Sequence, residues 1–176
     1  WSLVKVMGFG INHSEIFTRQ GLSPSVTFPR VLGIEMDGII EETSNPSRLP
    51  VGQKVVSIMG EMGRAYDGGY AEYALLPNDN LYTIETNLDW RDLASVPETY
   101  YTAYGSMKNL KIEAKDRILV RAGSSGVGQA FAKLVRARFP EVRLVASVRR
   151  LDKEEKILAA GFDQVILDRD GKLKTD

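Results

Sequence analysis

The apolar positions of this chain change their spacing near its middle. In the first half they come in short runs separated by turn chemistry. Leu3–Val6 is apolar around Lys5, and Val31–Glu41 is rich in strand-forming residues but broken by Gly33 and Gly38. Lys54–Ile58 follows the turn Pro50-Val51-Gly52-Gln53, Tyr70–Leu76 follows Asp67-Gly68-Gly69, and Leu81–Ile84 follows Pro77-Asn78-Asp79-Asn80. Short strands at such intervals, punctuated by glycine and proline, predict a barrel or sandwich.

In the second half the period becomes helical. The spacing predicts a helix over Ala94–Asn109 carrying Tyr100, Thr102 and Tyr104, then a strand at Ile118–Val120. Val127, Ala130, Phe131, Leu134 and Val135 recur at helical spacing. Leu144–Val148 reads as a second strand. Asp152–Ala160 reads as a helix capped by Asp152 with Glu155 and closed by Gly161, and Gln164–Leu167 as a third strand. Strand, helix, strand, helix, strand is one half of a doubly wound parallel sheet. The expected class is α/β with a β-rich N-terminal part. The boundary is placed near Asp89–Asp92, giving units 1–91 and 92–176.

Charge and composition narrow the function. The 176 residues carry 23 Lys plus Arg against 23 Asp plus Glu, so the basic excess of a nucleic-acid binder is missing. No apolar run approaches the ~20 residues that span a bilayer. Neither nucleic acid nor membrane is expected as a partner, and the cytoplasm is the default location. Cysteine is absent and His13 is the single histidine. That removes zinc sites built on thiolates or several histidines, and no metal is expected.

The chemistry-bearing run is Val120-Arg121-Ala122-Gly123-Ser124-Ser125-Gly126-Val127-Gly128, after a predicted strand and opening a predicted helix. A pyrophosphate needs donors close by, and backbone N–H groups at a helix N-terminus supply them with the help of the helix dipole. Large side chains would hold the phosphate away. Ser124, Ser125, Gly126, Val127 and Gly128 are therefore the expected cofactor-binding residues of the loop. An ordinary tight turn without ligand is the alternative. About 20 residues on, a NAD site usually has an acid for the ribose 2′-hydroxyl. Here Ser147-Val148-Arg149-Arg150 stands at that point. Arginine pairs with a 2′-phosphate that a carboxylate would repel, so Ser147, Arg149 and Arg150 point to NADP(H). Two arginines ending a strand on a solvated surface is the plainer reading.

Taken together, these residues resemble the medium-chain dehydrogenase/reductase superfamily, in its zinc-free quinone oxidoreductase-like branch. Gly10-Ile11-Asn12-His13-Ser14-Glu15-Ile16 looks like that branch's Gly-hydrophobic-Asn segment, with Arg19-Gln20-Gly21 following. Pro29-Arg30-Val31-Leu32-Gly33-Ile34-Glu35 resembles the segment that reads Gly-His-Glu in the zinc enzymes. Asp67-Gly68-Gly69-Tyr70-Ala71-Glu72-Tyr73, Thr102-Ala103-Tyr104, and Ala122 with Gly126-Val127-Gly128 are further matches. The resemblance implies a GroES-like barrel followed by a Rossmann domain. It also implies hydride transfer from NADPH to a quinone or another α,β-unsaturated carbonyl, and a homodimer for the full-length form. It begins after the barrel's usual first strands and stops after the third Rossmann strand. What it implies is a partial barrel, the first half of the Rossmann sheet, and a chain truncated at both ends that turns over poorly alone.

The departures from the branch shape the candidate site. The zinc enzymes' catalytic cysteine has no counterpart near Asn12, and their Gly-His-Glu histidine falls at Ile34. Ser125 stands at the central glycine of the Ala-x-x-Gly-x-x-Gly loop, and Ser23 or Pro24 where many zinc-free reductases carry a tyrosine. Without zinc, polarisation and positioning fall to hydrogen bonds. The resemblance places Asn12 beside the nicotinamide, with a turn residue as its plain alternative. Thr102 is a donor to the nicotinamide or ribose, or a helix residue bonding its own backbone. Tyr100 is an acid or pocket wall, or an aromatic packed between domains. His13, with no carboxylate to orient it, reads as a surface or packing residue. A second reading of the whole chain is a nucleotide-binding sensor or structural protein of the same fold without turnover.

Overall fold

Alternation at the N-terminus buries Ser2 and Val4 and turns Lys5 outward, which makes Ser2–Gly8 a one-sided strand, β1. It pairs on both flanks. Strands β2 (Glu35–Thr43), β3 (Lys54–Ile58), β4 (Tyr73–Leu76) and β5 (Tyr82–Thr83) complete an antiparallel sheet in the order β4-β1-β2-β3-β5. Val4, Met36, Ile40, Val55 and Leu76 form its core with Leu49, Met62 and Leu81. Each such burial contributes ~1.5–3 kcal/mol. The structure, a computed structural model, describes residues 1–169 and 171–174.

β2, β4 and β5 start later than the apolar runs predict, and for β2 and β4 the reason is that backbone groups next to them are engaged elsewhere. Gly68 N–H donates to the Val31 carbonyl, Gly69 N–H to that of Gly33, and Tyr70 N–H to that of Leu32. Residues 31–33 therefore stay out of β2, and Tyr70 stays out of β4. Helix α1 (His13–Arg19) stands where the apolar pattern predicts no element. Its signal is the pair Asn12 and Glu15, three residues apart, and the Glu15 carboxylate accepts the Asn12 N–H at 2.6 Å. The helix expected over Ala94–Asn109 is α3 (Pro97–Asn109), which starts three residues later, and a separate short helix, α2 (Trp90–Leu93), precedes it. Proline opens α3, where its missing N–H costs nothing, and Asp89 caps α2 by accepting the Asp92 N–H at 2.8 Å.

The chain divides into two compact units, Trp1–Glu98 and Thr99–Asp176, so the division falls within α3 rather than at residue 91. In the second unit β6 (Arg117–Arg121), β7 (Arg143–Val148) and β8 (Gln164–Arg169) are parallel, and β9 (Lys172–Lys174) adds antiparallel to β8. The order is β6-β7-β8-β9, which puts the most buried strand, β7, inside. Helix α4 (Gly126–Arg138) covers it with Ala130, Phe131 and Val135. Helix α5 (Glu154–Ala159) starts later than expected. Lys153 is its cap, and the Asp152 carboxylate pairs with Arg150 at 3.3 Å instead of capping. Among the described residues no strand covers the outer edge of β6, where Leu119 is 42% exposed.

Asp37, mid-way along β2, is fully buried, and neither carboxylate oxygen meets a partner beyond its own backbone. Burial lifts its pKa from 3.8 to about 6, with the charge of Glu35 adding to the shift. The folded value is the raised one, so the fold holds the neutral acid. Its contribution is full below 3.8 and is lost as the pH rises through about 6. The difference is worth roughly 3 kcal/mol at neutral pH and above. Asp37→Asn is expected to melt higher than the parent near pH 8 and to lose that advantage near pH 4. An equal gap at both pH values in thermal melts contradicts the buried-acid account.

Candidate functional site

The turn from β6 into α4 is built by close approach. Ala122 adopts φ +56°, and Gly123 N–H donates to the Ser147 carbonyl at 3.1 Å. A Cβ on Gly123 would lie 2.5 Å from the Ala146 Cβ, so only glycine lets the loop rest on β7. Ser125, at the family's central glycine, is the N-cap of α4. Its hydroxyl accepts the Gly128 N–H at 3.0 Å, so the serine is used inside the protein. The N–H groups of Gly126 and Val127 lie in a first turn that offers them no carbonyl of its own. They and the helix dipole favour an anion there.

Beside this loop lies a cleft of about 610 Å³ lined by Arg121, Ser124, Ser125, Ser147, Arg149 and Asp168. The structure thus brings together four of the residues expected to hold a cofactor. Ser147 is buried at the end of β7, and its hydroxyl has no hydrogen-bond partner among the described residues. Arg149 is exposed and has no ion-pair partner among the described residues. Arg150 is not in the cleft lining, and Asp152 holds its guanidinium. Val127 and Gly128 line an adjoining groove of about 260 Å³ with Leu110, Ile118 and Phe131, and Arg121 and Ser125 border both. Sequence reasoning missed Arg121 and Asp168, which form a 2.7 Å ion pair at the cleft. They lie 47 residues apart, and only the parallel pairing of β6, β7 and β8 brings them close.

The first unit holds Asn12 in a frame of carboxylates. Its side-chain amide donates to Glu35 at 2.7 Å, and its N–H to Glu15. Glu15 also accepts from the Ile34 N–H at 2.8 Å and from the Tyr70 hydroxyl. Glu35 accepts the Glu98 N–H at 2.7 Å. Burial raises the pKa of Glu35, with Glu98 and Glu15 adding charge repulsion, against hydrogen bonds from the Glu98 N–H and Asn12. Burial, then the hydrogen bond to Glu15 and its charge, raise that of Tyr70 above the ordinary phenol range. Asn12 is thus held on two sides, and it is also the N-cap of α1, with Glu15 completing a capping box. His13 is exposed and packs edge-on against Phe17. Tyr100 is half-buried against the core of the second unit, and the Thr102 carbonyl accepts from Ser106 at 3.0 Å. Ile34 is buried, and no group of three or more His, Cys, Asp or Glu among the described residues is placed to hold a metal.

Residues 1–86 match the alcohol dehydrogenase GroES-like domain family. The quinone oxidoreductase of Pongo abelii is 32% identical over 139 residues, 77% of this chain and 41% of that protein. The chain belongs to the medium-chain dehydrogenase/reductase superfamily. Its first unit is the GroES-like part, and its parallel sheet is the Rossmann-like part, as the sequence predicts. A zinc-type alcohol dehydrogenase-like protein of Schizosaccharomyces pombe is 30% identical over 133 residues, 75% of this chain and 40% of its own. The mycobacterial protein Rv1454c complexed with NADPH superposes with a TM-score of 0.80 at 26% identity, covering 96% of this chain and 51% of that one. The chain spans about two fifths of the length of the two curated relatives.

Substitutions in the loop separate capping from close approach. Ser125→Ala is expected to cost about 1 kcal/mol and Ser125→Gly only a few tenths. Gly123→Ala is expected to cost more than either, because Ala146 is backed by the core. Urea melts of the three variants check the order, and a Ser125→Ala protein as stable as the parent contradicts the cap.

Proposed function

We propose that the protein is an oxidoreductase that passes hydride from NADPH to a quinone or another α,β-unsaturated carbonyl without zinc. The observation that carries this reading is Ser147: a buried hydroxyl that, like the Arg149 guanidinium, lacks a partner among the described residues, and that shares one cleft with Arg149 and the glycine loop. A buried polar group left unsatisfied costs about 1–3 kcal/mol, and a ligand with phosphate and ribose oxygens relieves it. The residues fit NADP(H) in charge as well as shape, since no acid stands at the end of β7 and Arg149 follows it.

Bound NADPH supplies the hydride. The backbone N–H groups of Gly126 and Val127 hold its pyrophosphate, with Ser124 beside them, and Ser147 and Arg149 hold its adenosine end. Asn12, oriented by Glu15 and Glu35, positions the reacting ring. Thr102 donates a hydrogen bond near it, and Tyr100 walls the pocket or gives the proton. Zinc is left out because the donor set does not suit it: cysteine is absent and Ile34 stands at the zinc enzymes' histidine. A small-molecule acceptor, a cytoplasmic location and a homodimeric full-length form belong to the same reading. No described helix is long and apolar enough to cross a membrane.

The structure separates the two arginines. Arg149→Ala is expected to weaken NADPH about tenfold or more and to leave NADH nearly unchanged. Arg150→Ala, whose partner is Asp152, is expected to cost about threefold or less. Fluorescence titration with both cofactors checks this, and equal loss for NADPH and NADH contradicts phosphate reading. A protein that binds NADPH but oxidises it with no simple quinone or enone is the nucleotide-binding sensor instead.

A further inference from the structure

The ion pair between Arg121 and Asp168 needs its own account. Arg121 ends β6 and lies in register with Ser147 of β7, whereas Asp168 lies on β8. The pair therefore reaches over the end of β7, across two strand spacings of about 4.8 Å each. Both residues line the cleft that holds Ser147 and Arg149. The Asp168 side chain is 13% exposed and that of Arg121 is 68% exposed. Such a half-solvated pair adds little to stability, so its effect lies in the charge of the cleft. Alone, Asp168 would set a poorly screened carboxylate in a cleft read here as taking phosphate.

We propose that Arg121 is a specificity-determining residue that acts through Asp168. By neutralising that carboxylate it lets the cleft accept an adenosine carrying a 2′-phosphate, with Arg149 as the cation left for the phosphate. The proposal rests on the nucleotide reading above and adds to it. Arg121 is a positioning and charge-balancing group, and Asp168 is the group that discriminates when unmasked. The chain then has two devices for one preference. Arg149 attracts the phosphate, and the paired Arg121 prevents its rejection.

The test is a double-mutant cycle read by calorimetric titration of the intact protein with adenosine 2′,5′-bisphosphate and adenosine 5′-phosphate. Arg121→Ala is expected to weaken the bisphosphate about tenfold and the monophosphate far less. Asp168→Asn is expected to bind the bisphosphate as tightly as the parent or a few-fold tighter. The double variant is expected to return to within about threefold of the parent, and Arg121→Lys to stay close to it. A double variant as weak as Arg121→Ala overturns the proposal, because Arg121 then touches the ligand itself. So does an equal loss of both ligands in Arg121→Ala. If the parent binds neither nucleotide, the nucleotide reading fails first and this proposal with it. Equal melting temperatures across the set confirm that the readout is binding.

Discussion

The approach of the Gly123 backbone to Ala146 fixes the geometry on which the candidate cofactor site depends. A side chain at residue 123 would collide with β7, so the loop can rest on that strand only as glycine. Once it does, Gly123 N–H bonds the Ser147 carbonyl, and Ala122 turns through a positive φ. Ser125 is then placed to cap α4. The loop that leads into α4 and the end of β7 come to border one cleft because the contact between Gly123 and Ala146 locks loop to strand. The charges around that cleft, Arg121 paired and Arg149 without an ion-pair partner among the described residues, are decoration on this frame and give it chemical preference.

The first unit works by a different constraint: carboxylates in an interior. Glu15 and Glu35 are buried, and each takes hydrogen bonds from backbone N–H groups and neighbouring side chains. Removing a partner from such a set leaves a costly unsatisfied group, so the network holds Asn12 in one orientation. Asp37 lies on the same strand as Glu35 and lacks that support, which is why it favours the neutral acid. One strand thus carries both a satisfied carboxylate that orients Asn12 and an unsatisfied one that weakens the unit as the pH rises.

Much of this was legible in the sequence wherever a periodic signal was long or a motif had backbone logic. Lys54–Ile58 was readable to the residue because the turn Pro50-Val51-Gly52-Gln53 leads directly into its apolar run. The parallel order of β6, β7 and β8 followed from the strand-helix alternation. Elements escaped where local hydrogen bonds outweighed pattern. Helix α1 is too short to show a stripe and announces itself only through Asn12 and Glu15. Residues 31–33 look like a strand and spend their bonds on Gly68–Tyr70. Asp152 has the right spacing for a cap, but Arg150 captures it. In the site, loop residues and Ser147 could be read by their distance from the glycines. The pairing of Arg121 with Asp168 could not, because it depends on side chains from strands far apart in sequence.

The central claim is that the loop of Gly123–Gly128 and the end of β7 form one site for a 2′-phosphorylated dinucleotide. Amide resonances of isotope-labelled protein titrated with NADPH test it most directly. The account predicts saturable shifts at Gly123 through Val127 and at Ser147 through Arg149, with Asp152 and Glu154 little changed. NADH should shift the loop but move Arg149 less. Shifts confined to the groove between α3 and β6, or no saturable shift at the end of β7, would contradict it.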